Sequence, residues 1–157
     1  MVKLEGQPFN VVLIQVYAPT TQHSDEEVEK FYGDIEKGIK QVKTTDVVII
    51  MGDFNAKVGK GGSGNEVGEH GLGERNARGD RLVQFCQEQE MVVTNTYYEK
   101  PERRLYTWRS PGDIARNQID FILIKKRYRN SVKDVKTYPG ADVNSDHNLL
   151  IGRVYKA

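Results

Sequence analysis

Apolar positions along the chain fall into two rhythms. Residues 9–17, FNVVLIQVY, form a β-branched run that predicts a buried strand. APTTQ breaks it, with Pro19 unable to donate to a ladder. Ser24 and Glu27 then form a capping-box pattern, with Asp25 and Glu26 in the first turn. The helix it opens is expected to run to about Lys43, because Val28, Phe31, Ile35, Ile39 and Val42 make one apolar stripe. Residues 46–51 predict a second buried strand. Strand, helix and strand in that order predict a parallel or mixed sheet with a crossover helix.

Residues 59–73 hold seven glycines and read as a surface loop, without the Gly-Lys-Ser/Thr of a phosphate-cradling loop. A helix resumes near Asn76–Asp80 and turns Leu82, Val83, Phe85 and Cys86 inward. Residues 91–98 predict a strand. Residues 105–110 and 118–124 predict two more, joined as a hairpin across PGDIARN. KKRYRNSV predicts a basic helical turn. VKDVKTY and LLIGRVY predict the last strands. No internal repeat or linker divides residues 1–157, so one domain is expected.

Composition narrows the class. Of 157 residues, 38% are apolar and 29% charged, as in globular domains. No apolar run is long enough to cross a bilayer, so no membrane association is expected. The single cysteine, Cys86, excludes an internal disulfide framework and a cysteine zinc site. An intracellular location, nuclear or cytoplasmic, is expected. Net charge is +1, but residues 100–136 carry eleven basic against four acidic side chains, net +7. Interleaved with Tyr106, Trp108 and Tyr128, that segment would suit a phosphate backbone, or would simply be a solvated basic surface.

Several polar residues share one kind of position, the end of an apolar run. Tyr17 ends the first strand, and Asp53 and Asn55 follow the second. Thr107 and Trp108 lie in a later strand. Asp120 interrupts QIDFILI. Asp146 and His147 stand before the final strand. Singly, Asp53 and Asn55 are common turn formers, Tyr17 could be a core residue, Ser145-Asp146 a loop cap and His147 a lone surface histidine. A carboxylate between Ile119 and Phe121 needs a partner, and His147 is the candidate. Together they fit phosphodiester hydrolysis: Asp53 takes a proton from water, Asn55 orients that water, and an Asp120–His147 pair carries positive charge at the phosphate. Asp146 offers a hard oxygen to Mg²⁺ or Mn²⁺, and Tyr17 positions a phosphate oxygen.

VYAPT, MGDFN, QIDFIL and SDH, in that order, resemble the endonuclease/exonuclease/phosphatase superfamily. VGEHGLGERNARGDRLVQFCQEQEMVVTNTYY and YTWRSPGDIARNQIDFIL are similar to endonucleases of RTE/BovB-type non-LTR retrotransposons, which nick DNA to prime reverse transcription. The resemblance covers essentially the whole chain. It implies an α/β fold, a two-layered β-sandwich flanked by helices (DNase I-like). It implies a Mg²⁺- or Mn²⁺-dependent DNA endonuclease with Tyr17, Asp53, Asn55, Asp120 and His147 catalytic and Asp146 on the metal. By the same analogy Arg75, Asn76, Trp108, Arg109 and Asn117 lie near DNA.

The family's chain begins well before VYAPT and brings an asparagine and a metal-binding glutamate from earlier strands. No residue in Met1–Gln7 matches them, Glu5 included. This chain is therefore expected to be the later, larger part of such a domain, lacking its N-terminal strands, with weak or absent nicking. One sheet would then expose an apolar face open to a protein partner or to self-association. The alternative is a non-catalytic remnant that binds nucleic acid or protein through residues 100–136. A phospholipid headgroup, inositol phosphate or nucleotide substrate is a third reading, disfavoured by the +7 segment.

Overall fold

The computed structural model describes residues 1–140 and 145–155. Its centre is a parallel pair, β2 (Val11–Tyr17) and β3 (Val47–Asp53), joined by helix α1 (Asp25–Lys40). Ser24 caps α1 as its sequence predicts, its hydroxyl accepting from Glu27 N–H at 3.2 Å. The helix stops at Lys40, short of Lys43, because Gln41 and Val42 turn back to Gly38 and Ile39. A short strand, β1 (Val2–Leu4), lies antiparallel along β2. After the glycine-rich loop comes α2 (Ala77–Gln89), then β4 (Met91–Val93).

The run 91–98 does not continue as strand. Thr94–Tyr97 form a 3₁₀ turn, in which the Thr96 hydroxyl donates to the Val93 carbonyl at 2.7 Å and that of Thr94 to Ile122 at 2.6 Å. Hydroxyl and amide side chains compete here with the ladder. The expected hairpin of 105–110 with 118–124 is also replaced. Only Trp108–Arg109 (β5) and Arg116–Asn117 (β6) pair with each other. Asp120–Lys125 (β7) instead enters the main sheet, antiparallel to both β3 and β4. The order of that sheet is β1-β2-β3-β7-β4. The basic segment 126–131 is a 3₁₀ turn, and β8 (Val132–Tyr138) with β9 (Leu149–Val154) form a second sheet.

Strands buried on both faces read as unbroken apolar runs, which explains VVII in β3. Val48 and Ile50 face the helices, with Tyr32, Ile35, Leu82, Phe85 and Phe121. Val47 and Ile49 face β8 and β9, with Val92, Ile124, Val132 and Val135. This second layer stops at β9. Beyond it, Val2 and Leu4 lie directly opposite Leu13 and Val11 and stay 57% and 50% exposed. Among the described residues no helix is long and apolar enough to cross a membrane.

Gly52 lies in β3 at φ 145°, where a side chain would run into the Val16 carbonyl oxygen of β2. Gly52→Ala should destabilise the chain by about 2 kcal/mol or more. Gly33, in α1 with open space where a Cβ would go, is the contrast: Gly33→Ala should add about 1 kcal/mol. Urea unfolding of both variants measures the two effects.

Candidate active site

Sheet register assembles the site. β2 and β3 end together, with Tyr17 beside Asp53, and β7 begins there, with Asp120 opposite Asp53. The turn before β9 is held by β5: Trp108 bridges His147, Arg109 N–H donates to the Asp146 carbonyl at 3.1 Å, and Asn148 N–H donates to Thr107 at 2.8 Å. These pairings bring His147 between the two carboxylates. Its Nδ1 lies 2.8 Å from Asp120 Oδ2. A carboxylate only accepts, so Nδ1–H donates and Nε2 is left facing the opening. Nε2 is 3.6 Å from Asp53 Oδ2 and 3.8 Å from Asp146 Oδ1.

Asn55 adopts a left-handed conformation, φ 45°, which asparagine tolerates better than most residues. Its N–H donates to Asp53 Oδ1 at 2.8 Å and its Nδ2 to the Ala18 carbonyl at 2.8 Å. The loop after β3 is thereby tied to the loop after β2. Trp108 Nε1 donates to Asp146 Oδ2 at 3.0 Å. Tyr17 stands out at the rim, 74% exposed. A cavity of about 440 Å³ joins Tyr17, Asp53, Asn55, Trp108, Asp146 and His147.

The residues expected near nucleic acid divide. Asn117 and Asn76 line the same cavity. Asn76 is also the N-cap of α2, its Oδ1 accepting from Gly79 N–H at 2.8 Å and Lys57 N–H at 3.1 Å. Arg109 lines an adjoining depression with Ser110, Asp113 and Asp146. Arg75 lines neither, and its Nε donates to the Val58 carbonyl at 2.9 Å. Two residues at the site escape a motif-based reading, and a third, Thr107, has a role there that its strand position does not reveal. Lys57 and Thr21 line the cavity. Thr107 is fully buried, and its hydroxyl accepts from Ile119 N–H at 2.9 Å and Asp120 N–H at 3.0 Å. Lys57 sits two places past Asn55 in the GDFNAK run, which is the one signal available for it.

Glu5 lies far from this group. It follows Leu4, which pairs with Val11 at the other end of β2 from Tyr17. Six residues of strand separate those ends, roughly 20 Å.

Residues 11–151 match the model of the endonuclease-reverse transcriptase family. The chain belongs to that family. It is 47% identical over 152 residues to craniofacial development protein 2 of Bos taurus, covering 97% of this chain and 26% of that protein. The chain thus spans about a quarter of the length of the curated relatives it matches. The endonuclease domain of TRAS1, a telomere-specific non-LTR retrotransposon, superimposes with a TM-score of 0.68 at 16% identity, covering 98% of this chain and 59% of that one. AP endonuclease LMAP from Leishmania major gives 0.67 at 14% identity, covering 97% and 52%. These likenesses establish the fold, an α/β DNase I-like endonuclease/exonuclease/phosphatase architecture.

In this endonuclease-reverse transcriptase domain the site is electrostatically tense. Burial raises the Asp53 carboxyl above its ordinary range, opposed by the Asn55 N–H and reinforced by the neighbouring Asp120. Burial raises Asp120 as well, against the opposing pull of Thr107 and His147. Such a cluster fits a hard divalent cation: one atom each from Asp53, Asp120 and His147 lie within 4.8 Å of one another, and Asp146 adds a further carboxylate.

Raised carboxyls make the folded chain bind more protons than the unfolded chain between about pH 4 and the raised pKa values. Stability therefore falls as pH rises through that window. Asp53→Asn removes the Asp53 share of this loss. In metal-free buffer the variant should melt above wild type near pH 7, with the gap closing toward pH 4. Differential scanning calorimetry across that range checks it.

Proposed function

We propose that this domain is a divalent-metal-dependent endonuclease that hydrolyses phosphodiester bonds in DNA. The observation that carries the reading is His147, held by Asp120 through Nδ1 and facing Asp53 and the open cavity through Nε2. An imidazole so held keeps its Nδ1–H on Asp120, and when protonated at Nε2 as well it donates to a phosphate oxygen as negative charge grows there. Asp53, buried and raised, is a stronger base than a solvated aspartate and takes the proton from the attacking water. Asn55, locked between Asp53 and Ala18, orients that water. Tyr17, free at the rim, positions the strand. Asp146 with Asp53 would hold the ion, which supplies positive charge to the phosphate when bound.

Two carboxylates leave most of a Mg²⁺ shell to water, so the ion is held weakly. Action in the nucleus would follow from a DNA substrate. Binding without cleavage is the second reading, favoured by Arg129 and Lys133 of the basic segment, which have no carboxylate at ion-pair distance among the described residues.

A plasmid-nicking assay separates them. Nicking should require Mg²⁺ or Mn²⁺, rise into the millimolar range of ion, stop with chelator, and fall by about 10²–10⁴ in His147→Ala. Salt-dependent DNA binding with no nicking at any ion concentration would replace hydrolysis with the binding reading.

A further inference from the structure

The fold splits the basic segment. Arg109 and Arg116 stand on the β5–β6 hairpin near the site, whereas 126–133 lie past the far end of β7. There the cations differ in how they are used. Lys126 pairs with Glu66 at 3.0 Å, and Lys100 and Lys136 flank Asp134 at 2.8 and 3.7 Å. Among the described residues Arg129 and Lys133 have no carboxylate at ion-pair distance.

Both of these cations stand at the mouth of a cavity of about 330 Å³, whose floor is Val92 and Val132 and whose walls include Tyr97 and Tyr98. The tyrosine hydroxyls are committed to backbone: Tyr97 donates to the Asn65 carbonyl and Tyr98 to Val132 at 2.8 Å. The rings are therefore fixed surfaces rather than hydrogen-bonding tips. Arg129 lies over the Tyr97 ring, 5.6 Å from its centroid. Among the described residues no acid lines the cavity, and Asp134, the acid felt by Tyr98, is already neutralised by its two lysines. A second depression of about 480 Å³ adjoins it, sharing Tyr97 and Arg129 and walled by the glycine-rich loop at Gly61–His70. Val92 pairs with Ile124, four residues along β7 from Asp120, about 13 Å from the active site along that strand.

An apolar floor, fixed aromatic rings, a stacked guanidinium and unpaired cations are what a single nucleic-acid strand requires. Bases stack on rings and guanidinium planes while cations take the phosphates. A volume near 330 Å³ sits at the lower end of ligand cavities, about 300–1,000 Å³, and suits one nucleoside rather than a duplex. We propose that the Tyr97–Arg129 cavity binds a nucleotide of a single-stranded polynucleotide, with the next nucleotide lying along the glycine-rich loop. Asn130, also in the lining, gives the base edge an amide partner. The domain would then hold a single strand at one place and act on a phosphodiester at another.

The test uses short fluorescein-labelled single strands of DNA and of RNA, with the full chain in chelator so that nothing is cut. Fluorescence anisotropy should show Arg129→Gln/Lys133→Gln binding about tenfold or more weaker, with the salt slope reduced by roughly 0.7 to 1.4. Both side chains are exposed, so its melting temperature should match wild type. Its plasmid nicking should also match wild type. The DNA and RNA arms decide which strand is preferred. On the wild-type chain, strands carrying 5-iodouracil should photo-crosslink to the peptide containing Tyr97 and Tyr98. Unchanged affinity in the double variant overturns the proposal. So do adducts confined to Trp108, or an equal loss of binding to polyglutamate, which would mark a general anion patch.

Discussion

Asp53 and Asp120 are cross-strand neighbours because β7 enters the main sheet antiparallel to β3 in a register that leaves no alternative. Like charges directly opposite one another destabilise a sheet, and burial makes the pair worse. His147 is the group that makes this tolerable, one ring nitrogen on Asp120 and the other toward Asp53. The rest of the site is arranged to keep that imidazole in place. Trp108 and Thr107 of the β5 segment pin the backbone around residues 146–148, and the Thr107 hydroxyl receives the N–H groups of Ile119 and Asp120 on its other side. One buried threonine thus links the strand carrying the acid to the segment that holds the histidine.

Features set by neighbours in the chain were legible in the sequence. The Ser24 cap, the apolar stripe of α1 and the doubly buried run of β3 depend on residues a few places apart. Pairing across long distances was not. QIDFILI has the same alternation whether it folds back on TWR or crosses to lie between β3 and β4, and its neighbours in the chain do not distinguish the two. MVVTNTYY misleads for a different reason. Its threonines have strand propensity, yet their side chains and that of Asn95 are used to bond carbonyls and close a turn.

The site shows the same division. Tyr17, Asp53, Asn55, Asp120 and His147 could be gathered from the sequence because each interrupts or ends an apolar run. Asn76 could be singled out but not interpreted, because its helix-capping bonds to Gly79 and Lys57 depend on where the loop after β3 passes. Lys57 and Thr107 carry only a weak mark in the sequence, their place in the chain. One is a single lysine in a charged chain and the other a threonine in a strand-like run, and only the path of the backbone puts them at the site. The net +7 segment is the converse case, a clear sequence signal that folding disperses between two ends of a sheet.

That dispersal has a physical logic. Three acids crowd the active-site end, Asp53, Asp120 and Asp146, and they repel a polyanion until a cation is bound. A strong basic cluster beside them would form ion pairs with those same acids and quench both. Separation by the length of β7 keeps the acids available to a metal and leaves Arg129 and Lys133 without carboxylate partners among the described residues. At protein-surface screening lengths of about 8–10 Å, charges some 13 Å apart act almost independently. One strand, β7, can therefore carry acids at one end and lead into a basic turn at the other without either cancelling the other.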